Sequence, residues 1–405
     1  MVAYLPRTIE PILRKAAREF PAIVLTGPRQ SGKTTLLRHI FGRRAHYVSL
    51  ESPDTRAVAT ADPRGFLDAW QSPLILDEIQ YAPNLLSYIK ERIDARRALK
   101  GQYFLSGSQN LLLMHQVAET LAGRAAVLYL LPLSRRELVG APKALPPWEG
   151  KTSARPVPKK RYDFWAAAVR GGFPEPATEP ARDVALWYGS YVQTYLERDV
   201  RTLRQVGDLT QFQIFLRTLA ARSAQLINFA DMGRDLGLAT NTVRAWISVL
   251  EATHQIVILR PYFANIGKRL VKTPKVYFTD TGMLCYFVGI RDTAHAALSP
   301  MAGAIAESAV VSEVLKMFFH RGLEPRFYFW RTATGDEVDL VIETATGLLP
   351  LEIKATATPS PIMARGIFRF REWVREARAD GLVVHTGRVR TPLGGGVLAL
   401  PFEDL

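Results

Sequence analysis

The segment 27–34 constrains the fold more than any other part of the chain. It reads Gly-Pro-Arg-Gln-Ser-Gly-Lys-Thr, the P-loop pattern, in which glycines let successive backbone N–H groups turn toward phosphate oxygens. The apolar run 22–25 before it is typical of a buried parallel strand, and residues 35–40 continue as the first turns of a helix. This order of strand, loop and helix predicts an α/β domain with a parallel sheet that binds a nucleoside triphosphate.

Each residue type in the loop suits one part of such a ligand. Lys33 is predicted to reach the β- and γ-phosphates and to be catalytic. The Thr34 hydroxyl is predicted to ligate Mg²⁺. The predicted nucleotide-binding residues are Gly27, Pro28, Arg29, Gln30, Ser31, Gly32, Lys33, Thr34, Thr35 and Asp77.

A second apolar run, 74–76, ends in two carboxylates. Ligands of parallel sheets lie at the carboxyl ends of the strands, so Asp77 is predicted to hold Mg²⁺, usually through water. Glu78 is predicted to orient and deprotonate the attacking water. The alternative is an ordinary acidic pair on the surface, which the P-loop upstream makes the weaker interpretation.

Two further residues complete the predicted catalytic set. The apolar run 103–105 leads into Ser106, which is predicted to touch the γ-phosphate or the attacking water, with Ser108 as the second choice. Arg124 is predicted to stabilise charge on the γ-phosphate, in its own subunit or across to a neighbour. A salt-bridged surface arginine is an equally strong interpretation of Arg124. A role in trans requires a homo-oligomer.

The composition describes a globular chain with a large positive charge. Hydrophobic residues make up 48% and charged residues 22% of the 405 residues, and no apolar run is long enough to span a membrane. Cys285 is the only cysteine, which excludes an intrachain disulfide, so a cytoplasmic location is expected. The net charge of +14 favours a polyanionic partner, with DNA as the expected one. The alternative is basic charge scattered over the surface.

Changes in pattern divide the chain into five segments. Residues 1–140 alternate between strands and helices, which predicts the P-loop ATPase domain. Residues 141–160 are rich in proline and basic residues, which predicts a solvated linker. Residues 161–209 are predicted to be a helical connector, with a long helix between 165 and 204 whose aromatic residues lie in the core. Residues 210–290 and 295–405 form two further modules.

The module 210–290 has the pattern of a winged helix-turn-helix. Apolar spacing indicates helices near 212–219, 229–236 and 241–251, the last capped by Thr240, followed by strands 256–259 and 276–278. In a DNA reader the third helix enters a groove and the wing contacts phosphates, whereas many such modules serve only for packing. The predicted DNA contacts are Asn241, Thr242, Arg244, Lys268, Arg269 and Lys272.

The module 295–405 carries a carboxylate and lysine pattern suited to phosphodiester cleavage. Asp339 lies on a strand, and the return strand brings Glu352 and Lys354 to one face. Asp339 and Glu352 are predicted to share a divalent cation, Lys354 to steady a water, and Glu307 on the helix 304–319 to add an acidic contact. The alternative is a hairpin with salt-bridged edge charges.

Together these motifs resemble bacterial and archaeal AAA-type ATPases in which a P-loop domain precedes a C-terminal domain of unknown function. The resemblance covers nearly the whole chain and rests on residues 27–35, 76–80, 105–108, 123–124, 132–134, 195–199, 277–280, 330–331, 337–339 and 352–354. It implies ATP and Mg²⁺ as cofactors, a winged helix in the middle and a C-terminal fold similar to PD-(D/E)xK nucleases. The insert 141–160 is longer than the resemblance leads one to expect.

Two functions are consistent with the sequence. The leading one is an ATP-driven protein that acts on DNA, in which ATP turnover remodels or gates the nuclease-like domain. The other is a nucleotide-controlled switch or scaffold whose C-terminal domain binds a partner and cleaves nothing.

Overall fold

The structure, a computed structural model, describes residues 4–108, 117, 119–149, 162–196, 209–262 and 272–405. Up to residue 129 the strands are separated by helices as the P-loop predicts, with two successive helices between the second and third strands. The helices of this part are α1 (Glu10–Glu19), α2 (Lys33–Phe41), α3 (Pro53–Ala61), α4 (Pro63–Ala69) and α5 (Leu85–Ala95). Its strands are β1 (Ala22–Gly27), β2 (His46–Ser49), β3 (Leu74–Asp77), β4 (Tyr103–Ser108) and β5 (Ala125–Tyr129).

These five strands form one parallel sheet in the order β2-β3-β4-β1-β5. Both of its faces are buried: Ile23 and Leu25 pack toward α1 and α2, while Ala22 and Val24 pack toward α5. A strand covered on both faces needs apolar residues at every position, which explains the unbroken apolar run of β1. The strand order places β4 between the P-loop strand and the Asp77 strand. The predicted α/β fold with a parallel sheet is confirmed.

The middle part is mainly helical. Its helices are α6 (Arg135–Leu138), α7 (Phe164–Arg170), α8 (Pro174–Thr178), α9 (Val184–Tyr191), α10 (Leu209–Ala221), α11 (Phe229–Leu236), α12 (Thr240–Ala252), α13 (Thr281–Phe287) and α14 (Thr293–Leu298). Strands β6 (Ile256–Leu259) and β7 (Lys275–Phe278) pair antiparallel. Three helices and a strand pair is the element order of a winged helix-turn-helix, and that assignment stays a prediction.

Two local predictions in this part are wrong. The long helix predicted from residue 165 is interrupted, because Gly171 adopts φ +70° and Pro174 starts a new helix. Beyond α9 the helix continues as a π-helical turn over Val192–Leu196, and residues 197–208 lie outside the described part of the chain. Thr240 does not cap α12 but lies in its first turn, and Ala239 is the capping residue without a side-chain bond.

The C-terminal part is a mixed sheet with two covering helices. The helices are α15 (Ala302–Phe319) and α16 (Arg365–Trp373). The strands are β8 (Phe327–Arg331), β9 (Glu337–Thr344), β10 (Gly347–Lys354), β11 (Gly381–His385), β12 (Thr391–Gly394) and β13 (Val397–Pro401). They follow the order β12-β13-β11-β10-β9-β8. Among the described residues, no helix combines the length and apolarity needed to cross a bilayer.

The middle and C-terminal parts share one hydrophobic core. One cluster of buried residues joins the two parts, from Phe164 to Leu405, and also includes Leu131. The backbone also joins them, because Tyr262 N–H donates to the Phe329 carbonyl at 2.7 Å on the edge strand β8. The exposed edge of the C-terminal sheet is thus covered by the chain that follows β6.

A buried carboxylate connects the ATPase domain to the C-terminal part. Glu137 is fully buried and accepts backbone hydrogen bonds from Thr8 (2.7 Å) and Ser134 (2.8 Å). Its Oε1 lies 3.1 Å from Arg7 Nε and 3.3 Å from Nδ1 of His320, just after α15. Burial by itself raises the pKa of Glu137, but the charge of Arg7, the contact with His320 and the hydrogen bond from the Ser134 N–H outweigh it and hold that pKa well below 4.5.

We predict that Glu137→Gln lowers the free energy of unfolding by about 3–5 kcal/mol at pH 7, because it leaves the Arg7 guanidinium buried without its counter-charge. Chemical denaturation of the full chain measures this. Because the pKa of Glu137 is lower in the folded than in the unfolded state, its ionised carboxylate stabilises the fold fully above about pH 4.5, the ordinary glutamate value. This stabilisation is lost as the pH falls from there through the lower pKa of the folded state. The difference between wild type and variant should therefore shrink in acid.

Glu149→Gln is the matched control, since Glu149 pairs with Arg321 at 2.6 Å on the surface and should change stability by less than about 1 kcal/mol. Equal losses in both variants would contradict the role assigned to Glu137.

Candidate functional site

The P-loop curls around a point at the carboxyl end of β1. Gly27 has φ +147° and a Cβ there would collide with the Leu130 carbonyl, so only glycine fits. Gly32 has φ +95° and caps the start of α2. Gln30 adopts φ +58°, which a non-glycine residue rarely does. These turns give the loop the concave backbone that phosphate oxygens require.

Lys33 is folded into this loop. Its side chain is buried, and Nζ donates to the carbonyls of Gly27 at 3.0 Å and Pro28 at 2.7 Å. Hydrogen bonds from an ammonium to an anion are stronger than those to neutral carbonyls. A phosphate that enters the loop can therefore replace these carbonyls as the partner of Lys33.

Three hydroxyls converge on the buried carboxylate of Asp77. Thr34 Oγ1 lies 2.9 Å from both of its oxygens, and Tyr47 OH donates to Oδ2 at 3.0 Å. The Ser106 hydroxyl, fully buried on β4, donates to Oδ1. Thr34 and Asp77 thus offer hard oxygen donors side by side, which is the donor set that Mg²⁺ takes.

Glu78 follows Asp77 in an unusual backbone conformation. It adopts φ +56°, and the Gln80 side-chain amide donates to its carboxylate. A non-glycine residue in the left-handed region carries strain that functional sites tend to retain. The half-exposed carboxylate of Glu78 lies next to Asp77 at the end of β3.

The structure separates Arg124 from the P-loop. The Arg124 carbonyl accepts from Ala22 N–H, at the amino end of β1, whereas the P-loop follows the carboxyl end of that strand. A six-residue strand, about 20 Å long, lies between them. The guanidinium pairs with Asp94 at 2.7 and 2.9 Å. The predicted role of Arg124 within its own subunit is therefore wrong, and only the role in trans stays a prediction.

Two residues at this site were missed from the sequence. Arg7 Nη1 donates to the Ser31 carbonyl at 2.9 Å and Nη2 to the Leu131 carbonyl at 2.8 Å. These bonds join the P-loop to the segment that follows β5. Tyr47 contacts Asp77 as described above. Neither residue lies in a motif. A signal did exist for their neighbour Glu137, because Ser134-x-x-Glu137 is a capping-box pattern.

The C-terminal carboxylates and lysine lie on one face of the sheet. β9 and β10 pair antiparallel up to Leu351 opposite Leu340, and Asp339 and Glu352 follow in the same register. Lys354 Nζ lies 2.5 Å from Glu352 Oε2 and 3.4 Å from Asp339 Oδ2. Burial and the charge of Asp339 raise the pKa of Glu352 well above its usual range.

Glu307 is joined to this cluster from the other side. Tyr277 OH donates to it at 3.0 Å, and Lys275 Nζ lies 3.6 Å from it and also pairs with Glu337. Burial and the Asp339 charge raise the pKa of Glu307 to about 7. Among the described residues, no group of three or more His, Cys, Asp or Glu is arranged to hold a metal ion. A cation on Asp339 and Glu352 would therefore need further ligands from water or substrate.

The predicted DNA contacts are only partly within the described residues. Asn241 and Arg244 are exposed on α12, Thr242 is half-buried, and Lys272 is exposed before β7. The Arg244 guanidinium lies over the Phe229 ring at 5.7 Å. Lys268 and Arg269 lie outside the described residues, as does the side chain of Ser108. DNA contact by this module stays a prediction.

Three segments of the chain match known families. Residues 19–139 match AAA_14, an AAA domain. Residues 161–294 match a domain of unknown function, DUF8612, and residues 302–405 match another, DUF4143. The predicted resemblance to AAA-type P-loop ATPases is confirmed by the first match. The likeness of the last module to nucleases stays a prediction.

Among solved structures, the Walker-type ATPase PABY2304 of Pyrococcus abyssi is similar, with 15% identity and a TM-score of 0.45 over 71% of this chain and 99% of that one. Likeness at this level supports no inference about activity. The uncharacterized proteins Rv2008c of Mycobacterium tuberculosis and Mb2031c of Mycobacterium bovis are each 31% identical over 395 residues, which is 97% of this chain and 82% of theirs. The chain therefore belongs to the same family as these mycobacterial proteins, and its residues 19–139 are an AAA-type P-loop ATPase domain.

Proposed function

We propose that the chain hydrolyses ATP with Mg²⁺ at the P-loop and uses this turnover to act on DNA. One observation carries the first half: the Thr34 hydroxyl and the Asp77 carboxylate are 2.9 Å apart at the mouth of a loop that encloses Lys33. Polyphosphate binding needs a cation, a metal-ligating hydroxyl and a carboxylate at one place. These three groups come from two different βα units, so their convergence requires the folded sheet.

The roles of the residues follow from this geometry. Lys33 would exchange the carbonyls of Gly27 and Pro28 for β- and γ-phosphate oxygens and so balance their charge. Mg²⁺, when bound by Thr34 and Asp77, supplies further charge neutralisation. Glu78 would accept a proton from the attacking water, because it is the half-exposed carboxylate next to Asp77. Ser106 would hold Asp77 in place through its hydroxyl.

Lys33→Ala should lower the rate of ATP turnover by about a hundredfold or more, since it removes the buried cation that faces the transferred phosphate. A coupled assay of ADP release measures this, with calorimetry for ATP affinity. Lys15→Ala is the control, because Lys15 is exposed on α1, where it pairs with Glu19. Full turnover in the Lys33 variant would refute the assignment of the site.

Glu78→Gln should bind ATP as the wild type does yet turn it over about a hundredfold more slowly, because the amide keeps the shape but cannot accept the proton. Single-turnover kinetics separate the two steps. Glu91→Gln on α5 serves as the control, since Glu91 is exposed and pairs with Arg64. Wild-type turnover in Glu78→Gln would remove Glu78 from the mechanism.

A second candidate activity is metal-dependent cleavage of DNA at the C-terminal cluster. It is favoured by the convergence of Asp339, Glu352 and Lys354 on one face of the sheet. α15 connects the ATPase domain to this cluster. It carries Glu307 near its start and is followed by His320, which contacts Glu137. The competing function is a switch or scaffold whose C-terminal domain cleaves nothing.

Purified wild type should nick supercoiled plasmid with Mg²⁺ and ATP, and Glu352→Gln should reduce the rate by about a hundredfold. Glutamine keeps the shape of a carboxyl group that burial already favours in its neutral form, so the fold should persist. Glu343→Ala, exposed at the end of β9, is the control. Intact ATPase activity with no nicking under any of these conditions would favour the switch or scaffold.

A further inference from the structure

A groove on the ATPase domain is lined by far more basic than acidic residues. It lies beside α1, α2 and the start of β2, and its volume is about 1,420 Å³. Nineteen residues of average composition for this chain would include about two basic and two acidic ones. Of the described residues that line the groove, none is Asp or Glu, and the basic ones are Arg14, Arg18, Arg38, Arg43, Arg44 and Lys100.

Three of these six cations are available to a partner. Arg18, Arg43 and Arg44 are exposed, and within the described parts of the chain no carboxylate lies within ion-pair distance of them. A helix C-terminus favours one or two cations in its last turn, which accounts for Arg38 and His39 at the end of α2. The same effect accounts for Arg18 in the last turn of α1. It does not account for Arg14 on α1 or for Arg43 and Arg44, which follow α2. The accumulation of charge therefore points to an external polyanion.

Flat side chains are interleaved with these cations. The Tyr4 and His39 rings are stacked at 3.6 Å with planes 14° apart. The Arg38 guanidinium lies 4.8 Å over the Tyr47 ring. Trp70, which is 38% exposed, lies 6.1 Å from His46 at the rim. Grooves that bind single strands combine phosphate-binding cations with planar groups on which unpaired bases stack.

We propose that this groove binds a single-stranded nucleic acid, with Arg18, Arg43 and Arg44 on the phosphates and the flat side chains on the bases. In a duplex the faces of the bases are covered by neighbouring base pairs, which favours a single strand over a duplex. The site differs from the DNA contacts predicted on α12. The proposal deepens the action on nucleic acid proposed above and rests on it, but it requires neither ATP hydrolysis nor the C-terminal carboxylates.

Tyr47 connects the groove to the nucleotide site. Its ring lines the groove and supports Arg38, and its hydroxyl donates to Asp77 at 3.0 Å. A strand that engages Arg38 is therefore expected to alter the position of Asp77 and so the rate of ATP turnover. Tyr47→Phe keeps the ring and removes only the hydroxyl, so it should bind the strand normally and lose this response.

The test is fluorescence anisotropy of a labelled 20-nucleotide oligo-dT with the full chain, without nucleotide, at several salt concentrations. Arg43→Glu/Arg44→Glu should weaken binding at least about tenfold. The slope of the logarithm of the binding constant against the logarithm of the salt concentration should become less steep by about 0.7 for each phosphate that the variant no longer neutralises. Arg375→Glu/Arg388→Glu makes the same change in net charge with two exposed arginines of the C-terminal part, and should bind within about twofold of wild type. Thermal melting checks that each variant is folded.

Wild-type affinity in Arg43→Glu/Arg44→Glu, or equal weakening in Arg375→Glu/Arg388→Glu, would overturn the proposal. If binding is lost in Arg244→Glu/Lys272→Glu instead, the strand binds to the middle module, which would also overturn the proposal. Equal affinity for a 20-base-pair duplex or for polyglutamate would overturn the choice of a single strand. Lys33→Ala should bind oligo-dT normally, so failure of the ATPase assignment and failure of the groove are distinguished. ATP turnover that still responds to oligo-dT in Tyr47→Phe would overturn the link to Asp77.

Discussion

The buried carboxylate of Glu137 holds together three segments that are far apart in the sequence. It accepts a hydrogen bond from Thr8 and pairs with Arg7 near the start of the described chain. It also accepts from the Ser134 N–H at the start of α6 and contacts His320 after α15. A buried charge is tolerated only when its partners are in place, so this contact depends on the ATPase domain and the C-terminal part being packed together. Because Arg7 also bonds the Ser31 carbonyl, the P-loop is part of the same network.

This network gives the two candidate sites a physical connection. α15 lies between them: Glu307 near its start faces Lys275 and Tyr277 at the carboxylate cluster, and Lys316 near its end bonds the Leu133 carbonyl. This 18-residue helix is about 27 Å long. We expect a shift of the P-loop that moves Arg7 and Glu137 to reach this helix through His320. This is the structural basis for proposing that ATP turnover gates the C-terminal domain.

What could be predicted from the sequence was local in the chain. The P-loop, the strand that ends at Asp77 and the β9–β10 hairpin each depend on neighbouring residues, and the structure forms all three. Arg124 was misplaced because the sequence does not show that β5 pairs parallel with β1, which puts the arginine before β5 at the sheet edge opposite the P-loop. Arg7 and Tyr47 could not be found, since their partners lie 24 to 124 residues away.

The central claim is that a magnesium-bound triphosphate replaces the internal partners of the P-loop. A crystal structure with a non-hydrolysable ATP analogue and Mg²⁺ tests this most directly. The account predicts that Lys33 Nζ leaves the carbonyls of Gly27 and Pro28 for phosphate oxygens, with the metal between Thr34 and Asp77. An analogue bound elsewhere on the chain, with Lys33 still on those two carbonyls, would contradict it.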